Sequence, residues 1–353
     1  MDVPRQDICS VHAHRFDRKA AMPDASELAA QVLAGDVRTA SRLISLLERE
    51  DEQAAAAVAV LFPATGSARA IGITGPPGAG KSTLIKRFID AYRERGLRVG
   101  VLAVDPSSQL TGGALLGDRL RMVSHTMQED VFIRSMAVRH QQGGIARGTA
   151  QAMRILDALG CDRLIVETVG VGQSEIAVAG TVDCTVLVSH PGAGDEIQAM
   201  KSGIMEIGDL YVINKADQPG AEHLRRQLMS AVRLLASKDP PRQVFMVSAR
   251  TGDGMTELVE AVETRLEHLD TSGKLGRQRL LNLQQEVLQL IVSRSVANVL
   301  AGLGPDPVST YLSDLEQRRM DPSTVASLVL AQQHRDRSLA QPGVAARGTV
   351  GPA

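Results

Sequence analysis

The sequence predicts an α/β fold, with a doubly wound, mostly parallel sheet between a helical N-terminal prefix and a helical C-terminal arm. Two observations support this prediction. Short runs rich in Val, Ile and Leu alternate with helical stretches between residues 65 and 270, and a purely helical pattern follows Gly273. Such near-continuous apolar runs are typical of parallel strands that are covered by helices on both faces. The 353 residues suffice for this core and its extensions.

The strands follow from the β-branched runs in the middle of the chain. Six runs satisfy this pattern, and a seventh, shorter one at Val131–Ile133 adds a further candidate. The six are Ala70–Thr74, Val99–Val104, Leu164–Glu167, Thr185–Ser189, Leu210–Ile213 and Val244–Val247.

The helical ends follow from spacing and composition. Leu43, Ile44 and Leu47 have helical spacing in the prefix, while Leu280, Leu283 and Val287 begin a broad apolar stripe in the arm, which needs a partner surface. We therefore expect five segments: a mobile leader (1–23), a helical N-terminal extension (24–64), the α/β domain (65–270), a helical dimerisation arm (271–333) and a disordered tail (334–353).

Composition excludes several classes of protein. The net charge is −1 and aromatic residues make up 2% of the chain, so no basic field or set of stacking platforms indicates nucleic-acid binding. The longest apolar stretch, Ala54–Phe62, is too short to span a bilayer. Three scattered cysteines fit a reducing compartment, so we expect a cytoplasmic protein with neither a nucleic-acid nor a membrane partner.

A glycine-rich phosphate-binding loop provides the strongest functional signal. Its nine residues, Gly75-Pro76-Pro77-Gly78-Ala79-Gly80-Lys81-Ser82-Thr83, match G-x-x-x-x-G-K-[ST] between a predicted strand and a predicted helix. Backbone N–H groups in such a loop surround a phosphate chain, and the helix start adds a favourable dipole. We expect Lys81 to reach the β- and γ-phosphates and the Ser82 hydroxyl to bind Mg²⁺.

Two later segments identify the base as guanine. In Asn214-Lys215-Ala216-Asp217, the aspartate can accept hydrogen bonds from N1–H and the 2-amino group, a donor pair that adenine lacks. Asn214 can serve N7, and the Lys215 stem can cover the base plane. The segment Ser248-Ala249-Arg250 would supply backbone N–H groups to O6. Their order after the phosphate-binding loop favours GTP over ATP.

Further metal ligands are expected at strand ends. Asp105 ends the second predicted strand and Glu167 ends the run Leu164–Glu167, and carboxylate oxygens suit Mg²⁺. Gly170 follows Glu167 closely and would let a backbone N–H approach the γ-phosphate. Gln173 is a candidate for orienting the hydrolytic water.

These motifs resemble those of the MeaB/ArgK-type GTPases over roughly residues 30 to 330. The resemblance rests on Gly75–Thr83, Val104–Ser108, Leu116–Arg119, Val166–Glu175 and Asn214–Asp217. It implies a homodimeric GTPase that gates adenosylcobalamin loading and protects a B12-dependent acyl-CoA mutase, chiefly methylmalonyl-CoA mutase. It also implies an Mg²⁺ shell of Ser82, Asp105, Asp118 and Glu167.

The resemblance further assigns two switch segments. Gly170–Glu175 matches switch II, and Pro191–Lys201 matches a further switch through which the family senses its mutase. The segment Ser135–Gly144 departs from the family pattern and indicates a variant loop near the switches. With GTP/GDP and Mg²⁺ as cofactors, the candidate catalytic residues are Lys81, Asp105, Glu167, Gln173 and Lys201.

Two other functions remain open on sequence alone. A nickel metallochaperone GTPase would need a His-rich leader or a Cys/His site near the switch, and Val169–Gly172 has no adjacent cysteine. An ArgK-type kinase of a transport protein would need a phosphoacceptor site, which the sequence does not show.

Overall fold

A computed structural model describes residues 24–105, 130–137, 144–168, 180–192, 204–235, 241–303 and 305–340. The chain divides into two compact units, one up to Leu275 and one from Gly276 onward. The predicted leader, residues 1–23, lies outside the described residues.

A seven-stranded, entirely parallel sheet forms the first unit, which confirms the predicted fold class. Its order is β3-β2-β4-β1-β5-β6-β7, so β1 lies at the centre between β4 and β5. All seven predicted runs form strands, and the short candidate at Val131 extends to Ala137. The strands are β1 (Arg69–Thr74), β2 (Val99–Asp105), β3 (Val131–Ala137), β4 (Arg163–Thr168), β5 (Cys184–Ser189), β6 (Leu210–Ile213) and β7 (Gln243–Met246).

Helices flank this sheet. They are α1 (Ala25–Leu33), α2 (Val37–Leu47), α3 (Glu52–Leu61), α4 (Lys81–Glu94), α5 (Gly144–Ala158), α6 (Ile204–Ile207), α7 (Ala221–Arg233) and α8 (Met255–Thr271), with a 3₁₀ turn at Phe62–Ala64. Aspartate N-caps explain where the prefix helices begin, because Asp24, Asp36 and Asp51 each accept a hydrogen bond from a backbone N–H in the first turn of the helix that follows.

Each face of the sheet has its own core. Alternate residues of β4 point to opposite faces, as the pleat requires. Leu164 and Val166 pack in the cluster that contains α1, α2, α3 and α5, whereas Ile165 packs in the cluster that contains α4 and α8. The helical prefix is therefore part of the hydrophobic core of the first unit.

Parallel strands bring their carboxyl ends to one edge of the sheet. The phosphate-binding loop follows β1, Thr168 ends β4, and Asn214 follows β6 directly. Segments predicted to hold phosphate, metal and base thus lie along the same edge.

The second unit is helical and contains most of α9 (Lys274–Leu303), together with α10 (Pro305–Glu316) and α11 (Pro322–Ala340). The predicted start of a disordered tail at residue 334 is wrong, since α11 continues to Ala340. The reason is local: Pro342 and Gly343 are the first helix-breaking residues after Pro322. Residues 341–353 lie outside the described ranges.

Much of the apolar stripe of α9 is exposed on this chain taken alone. Its exposed members are Leu280, Leu281, Val287, Leu288, Ile291, Val292 and Val296. None of the helices in the described ranges combines the length and apolar character needed to cross a membrane.

Candidate functional site

The phosphate-binding loop is fixed by close backbone packing. Gly75 has a φ of 142°, and a Cβ built on it would lie 2.0 Å from the Val188 carbonyl oxygen of β5. Gly80, with a φ of 83°, caps α4, and a Cβ there would lie 2.4 Å from Asn214 Nδ2. Only glycine fits either position, so these two residues allow the loop to turn closely between β1 and α4.

Lys81 begins α4 and points back into the loop. Its side chain is buried, and Nζ donates hydrogen bonds to the carbonyl oxygens of Gly75 at 2.7 Å and Pro76 at 3.0 Å. An ammonium group is therefore held within the loop, beside the N-terminus of a 14-residue helix. Both features favour negative charge, as a phosphate chain requires.

Two predicted metal ligands lie next to each other. Ser82 Oγ donates to Glu167 Oε1 at 3.0 Å, and Glu167 is buried near the end of β4. A buried carboxylate beside a hydroxyl at the edge of a phosphate-binding loop offers the hard oxygen donors that Mg²⁺ prefers. The residues present therefore fit this cation.

The rest of the predicted metal shell is less defined. Asp105 ends β2, which pairs with β4, but its side chain lies outside the description, as does all of Asp118. In the described ranges, no group of three or more His, Cys, Asp or Glu side chains could hold a metal ion. Ser82 and Glu167 would thus act with phosphate and water oxygens, as is usual for Mg²⁺.

Asn214 forms the link between the two ends of the site. Its buried side chain donates from Nδ2 to the Ala79 carbonyl at 2.8 Å, and Oδ1 accepts from the N–H groups of Lys215 at 2.8 Å and Ala249 at 3.0 Å. In the structure this side chain joins the phosphate-binding loop to both base segments. That it serves N7 of the base stays a prediction.

The base segment places Asp217 against Arg250. Arg250 Nη2 donates to Asp217 Oδ2 at 2.8 Å, and the carboxylate is 28% exposed. Hydrogen bonds from Arg250 and then Ser248 lower the pKa of Asp217 below its ordinary value. The lowered pKa favours the ionised carboxylate, which is the form that would accept hydrogen bonds from N1–H and the 2-amino group. Lys215 adopts a positive φ of 58°, a strained conformation common at functional sites.

The three predicted O6 donors differ in availability. Ser248 N–H donates to the Asp253 carbonyl at 2.9 Å, and Ala249 N–H donates to Asn214 Oδ1. For Arg250 N–H, the described part of the chain contains no acceptor. The expectation that Ser248 and Ala249 supply donors to the base is therefore not supported, because Asp253 and Asn214 already accept hydrogen bonds from these two N–H groups.

Sequence reasoning missed two features of the site. The hydroxyls of Thr168 and Thr74 form a buried 2.8 Å hydrogen bond between the ends of β4 and β1, and polar residues that end apolar strands could have indicated it. Arg87 on α4 contacts the Ala249–Arg250 segment, and no local pattern marks this arginine.

Several predicted residues lie outside the described ranges. These are Gln173, the switch segment 170–175, and residues 193–201 of the second switch, including Lys201. Residues 138–143 of the variant loop also lie outside.

Comparison with known proteins gives consistent matches. A family model described as "Methylmalonyl Co-A mutase-associated GTPase MeaB" matches residues 40–303. A Pyrococcus horikoshii protein, PH0274, is 43% identical over 88% of this chain and 98% of its own length. GTPase ArgK of Escherichia coli is 37% identical over 68% of this chain and 73% of its own. A solved structure, described as an LAO/AO transport system kinase, matches with a TM-score of 0.65 and 28% identity over 88% of this chain and 97% of that one.

Proposed function

The chain belongs to the MeaB family and is a GTPase, and from that premise we propose that its GTP hydrolysis serves a B12-dependent acyl-CoA mutase. In this proposal the protein gates the loading of adenosylcobalamin into the mutase and protects the loaded enzyme. Methylmalonyl-CoA mutase is the partner we propose, because the matching family is described as associated with it.

The contact between Ser82 and Glu167 is the observation that carries this proposal. Ser82 belongs to the phosphate-binding loop, and Glu167 lies one residue before the end of β4, which leads into the predicted switch II segment, 170–175. Loss of the γ-phosphate would therefore alter the surroundings of Glu167. Through the chain, it would also alter the segment 170–175, to which a partner could bind. Such coupling supports a switch, since a partner that binds both states equally receives no signal.

The hydrolytic step would draw on charges already in place. When water attacks the γ-phosphorus, negative charge develops on the bridging and peripheral phosphate oxygens. Lys81 Nζ and the loop N–H groups can stabilise that charge without reorganising. Mg²⁺, held by Ser82 and Glu167 with Asp105 and Asp118 as further proposed ligands, would supply additional neutralisation of charge.

The loop Gly192–Lys201 is the proposed docking point for the mutase. β5, the strand that precedes this loop in the sequence, ends next to β1, at the same edge as the phosphate-binding loop. Asp195, Glu196 and Lys201 offer charges that a partner could pair.

Phosphate release with and without a cognate B12 mutase tests this function. We expect slow release from the isolated protein, acceleration by the mutase, and loss of that acceleration in Lys201→Ala with nearly unchanged GTP affinity. Lys201→Arg is the matched control because it keeps the positive charge. Equal stimulation of Lys201→Ala and the unmodified protein would exclude this loop, and no stimulation by any acyl-CoA mutase would exclude the chaperone function.

We also propose that the chain forms a homodimer through α9. Apolar residues on the surface of a monomer are normally scattered singly, whereas those of α9 form a stripe. Burial against a second copy of the chain would remove this stripe from water. Light scattering should give a dimer mass for the unmodified protein and a monomer mass for Leu288→Asp. Ala297→Asp introduces the same charge at an exposed position nine residues further along α9, on the opposite face of the helix, and should remain dimeric. A dimeric Leu288→Asp variant would contradict the proposal.

A second candidate function comes from the solved structure described as a transport system kinase. A kinase would transfer the γ-phosphoryl group to an acceptor hydroxyl instead of water. Incubation with γ-labelled GTP and candidate acceptor proteins separates the two reactions. Label in free phosphate alone supports the GTPase switch, and label on an acceptor supports the kinase.

A further inference from the structure

The Arg87 side chain is hydrogen-bonded to the turn that is predicted to bind the base. It lies on α4, the helix that begins at Lys81, and its partly buried guanidinium donates from Nε to the Ala249 carbonyl and from Nη2 to the Arg250 carbonyl, each at 2.8 Å. These two donors form the planar fork of an arginine, which holds two acceptors in a fixed geometry. The contact links the phosphate-binding helix directly to the segment predicted to recognise the base.

The contact also determines where one N–H points. The Ala249 carbonyl and the Arg250 N–H belong to the same peptide unit, and in a trans peptide these groups point in opposite directions. Because Arg87 holds the carbonyl towards α4, the Arg250 N–H is directed away from that helix.

The other amides of this turn are already engaged. Thr251 N–H donates to Ser248 Oγ at 3.4 Å and Gly252 N–H donates to the Ser248 carbonyl at 2.7 Å, while the two preceding amides bond to Asp253 and Asn214. Among the described residues, the Arg250 N–H is the donor of this turn that has no acceptor.

We propose that Arg87 is a positioning residue for guanine discrimination: it aims the Arg250 N–H at the 6-oxo group of the base. This inference rests on the proposed nucleotide site and adds a second point of discrimination beside Asp217. A 6-oxo group would accept this hydrogen bond, whereas the 6-amino group of adenine would place a donor against a donor. The mismatch leaves a polar group without its partner, which is how sites built on hydrogen bonds reject close analogues.

Two diphosphate analogues separate the contributions of Arg87 and Asp217. In 6-thio-GDP, sulfur replaces O6 as a weaker acceptor while N1–H and the 2-amino group remain. In IDP the 2-amino group is missing while O6 and N1–H remain. The first analogue therefore reports on the Arg250 N–H, and the second reports on Asp217.

Dissociation constants for GDP, 6-thio-GDP and IDP, measured by calorimetry on the full chain, test the inference. We expect the unmodified protein to prefer GDP over 6-thio-GDP by about tenfold, and Arg87→Ala to reduce that preference to about twofold, since one hydrogen bond is affected. The preference for GDP over IDP should stay within about twofold of its original value. Arg87→Lys keeps one donor and should give an intermediate preference for GDP over 6-thio-GDP.

Arg95→Ala is the matched control, because this exposed arginine caps the same helix and its removal changes the net charge equally. It should leave both preferences unchanged. If Arg87→Ala weakens all three ligands by the same factor, or lowers the preference over IDP as much as that over 6-thio-GDP, Arg87 merely supports the turn and the inference is wrong. If the unmodified protein shows no preference for GDP over ADP, the proposed guanine site fails, and this inference with it.

Discussion

The phosphate end and the base end of the site are built in opposite ways. The phosphate end is one continuous segment, Gly75–Thr83, that works through backbone N–H groups, a helix start and the ammonium of Lys81. The base end is assembled from three separate segments: the Arg250 side chain contacts Asp217, and the Arg87 side chain contacts the carbonyl groups of Ala249 and Arg250. The first is specified by local sequence, whereas the second exists only once distant elements have packed.

Asn214 belongs to both ends of the site. Its amide group contacts Ala79 on the phosphate side and Ala249 on the base side. The two ends should therefore respond together when this residue is changed, and separately when residues on either side of it are changed.

The largest effect is expected from Lys81→Ala, which removes the main protein cation from the phosphate end. Turnover should fall by on the order of 10²–10³-fold, the usual loss for a single preorganised electrostatic group. Phosphate release under saturating GTP measures this effect. Lys86→Ala removes the same charge from the same helix and should have little effect. Unchanged release from Lys81→Ala would mean that the loop does not hold the reacting phosphates.

Asn214→Ala should affect both ends at once. It leaves the Ala79 carbonyl and two backbone N–H groups without this partner, at a cost on the order of 1–3 kcal/mol for each buried group that stays unsatisfied. We expect a lower melting temperature and weaker binding of both GDP and inorganic pyrophosphate, which calorimetry can measure. Pyrophosphate binding equal to that of the unmodified protein would show that the ends are independent.

Asp217→Asn should affect the base end alone. Replacing one acceptor oxygen by a donor opposes N1–H and the 2-amino group, so GTP binding should weaken by about 1–3 kcal/mol. Xanthine nucleotides, which carry a carbonyl in place of the 2-amino group, should bind better. Titrations with GTP, XTP and pyrophosphate measure this change, and pyrophosphate affinity should stay constant. An unchanged GTP affinity would remove Asp217 from the base site.

The smallest effect is expected from Arg250→Ala, and it should change the preference for GDP over IDP only at acidic pH. The hydrogen bond from Arg250 lowers the pKa of Asp217, so the ionised carboxylate persists as the pH falls below the ordinary aspartate value of 3.8. Without Arg250 this pKa should rise, and the preference for GDP over IDP should be lost at a higher pH than in the unmodified protein. At neutral pH, where the carboxylate is ionised in both proteins, the preference should be similar.

Binding of both nucleotides, followed from neutral pH downward, measures this shift. Arg225→Ala is the control, because that arginine pairs with Glu222 on α7 and does not contact the site. Superimposable curves for Arg250→Ala and the unmodified protein would mean that Arg250 does not set the ionisation of Asp217.

The fold was largely predictable because buried parallel strands have a simple pattern. Each strand is apolar on both faces, so its Val, Ile and Leu run needs no long-range information to be recognised. The end of α11 was not predicted, because the Gly, Pro, Arg and Ala content of the tail beyond residue 334 suggested disorder. The segment nevertheless contains no helix breaker before Pro342.

The site was predictable to the extent that its chemistry is local. Ser82 and Glu167 were both expected beside the metal, and the structure brings them within 3.0 Å because β1 and β4 are neighbours. Arg87 could not be found in this way, since its partners lie more than a hundred residues further along the chain and become neighbours only through packing of the tertiary structure.

The central position of β1 has a consequence for how the protein is made. Arg69 pairs with Arg163 and Ile71 pairs with Cys184, so both neighbours of this strand leave the ribosome long after it does. During synthesis the apolar stretch of β1 is therefore unpaired until β4 and β5 have been made. Unpaired strands of this kind are prone to pair with other chains and aggregate. Arg69 at one end and Pro76 at the other bracket this stretch, and a charge and a proline are the residues that discourage premature strand pairing between nascent chains.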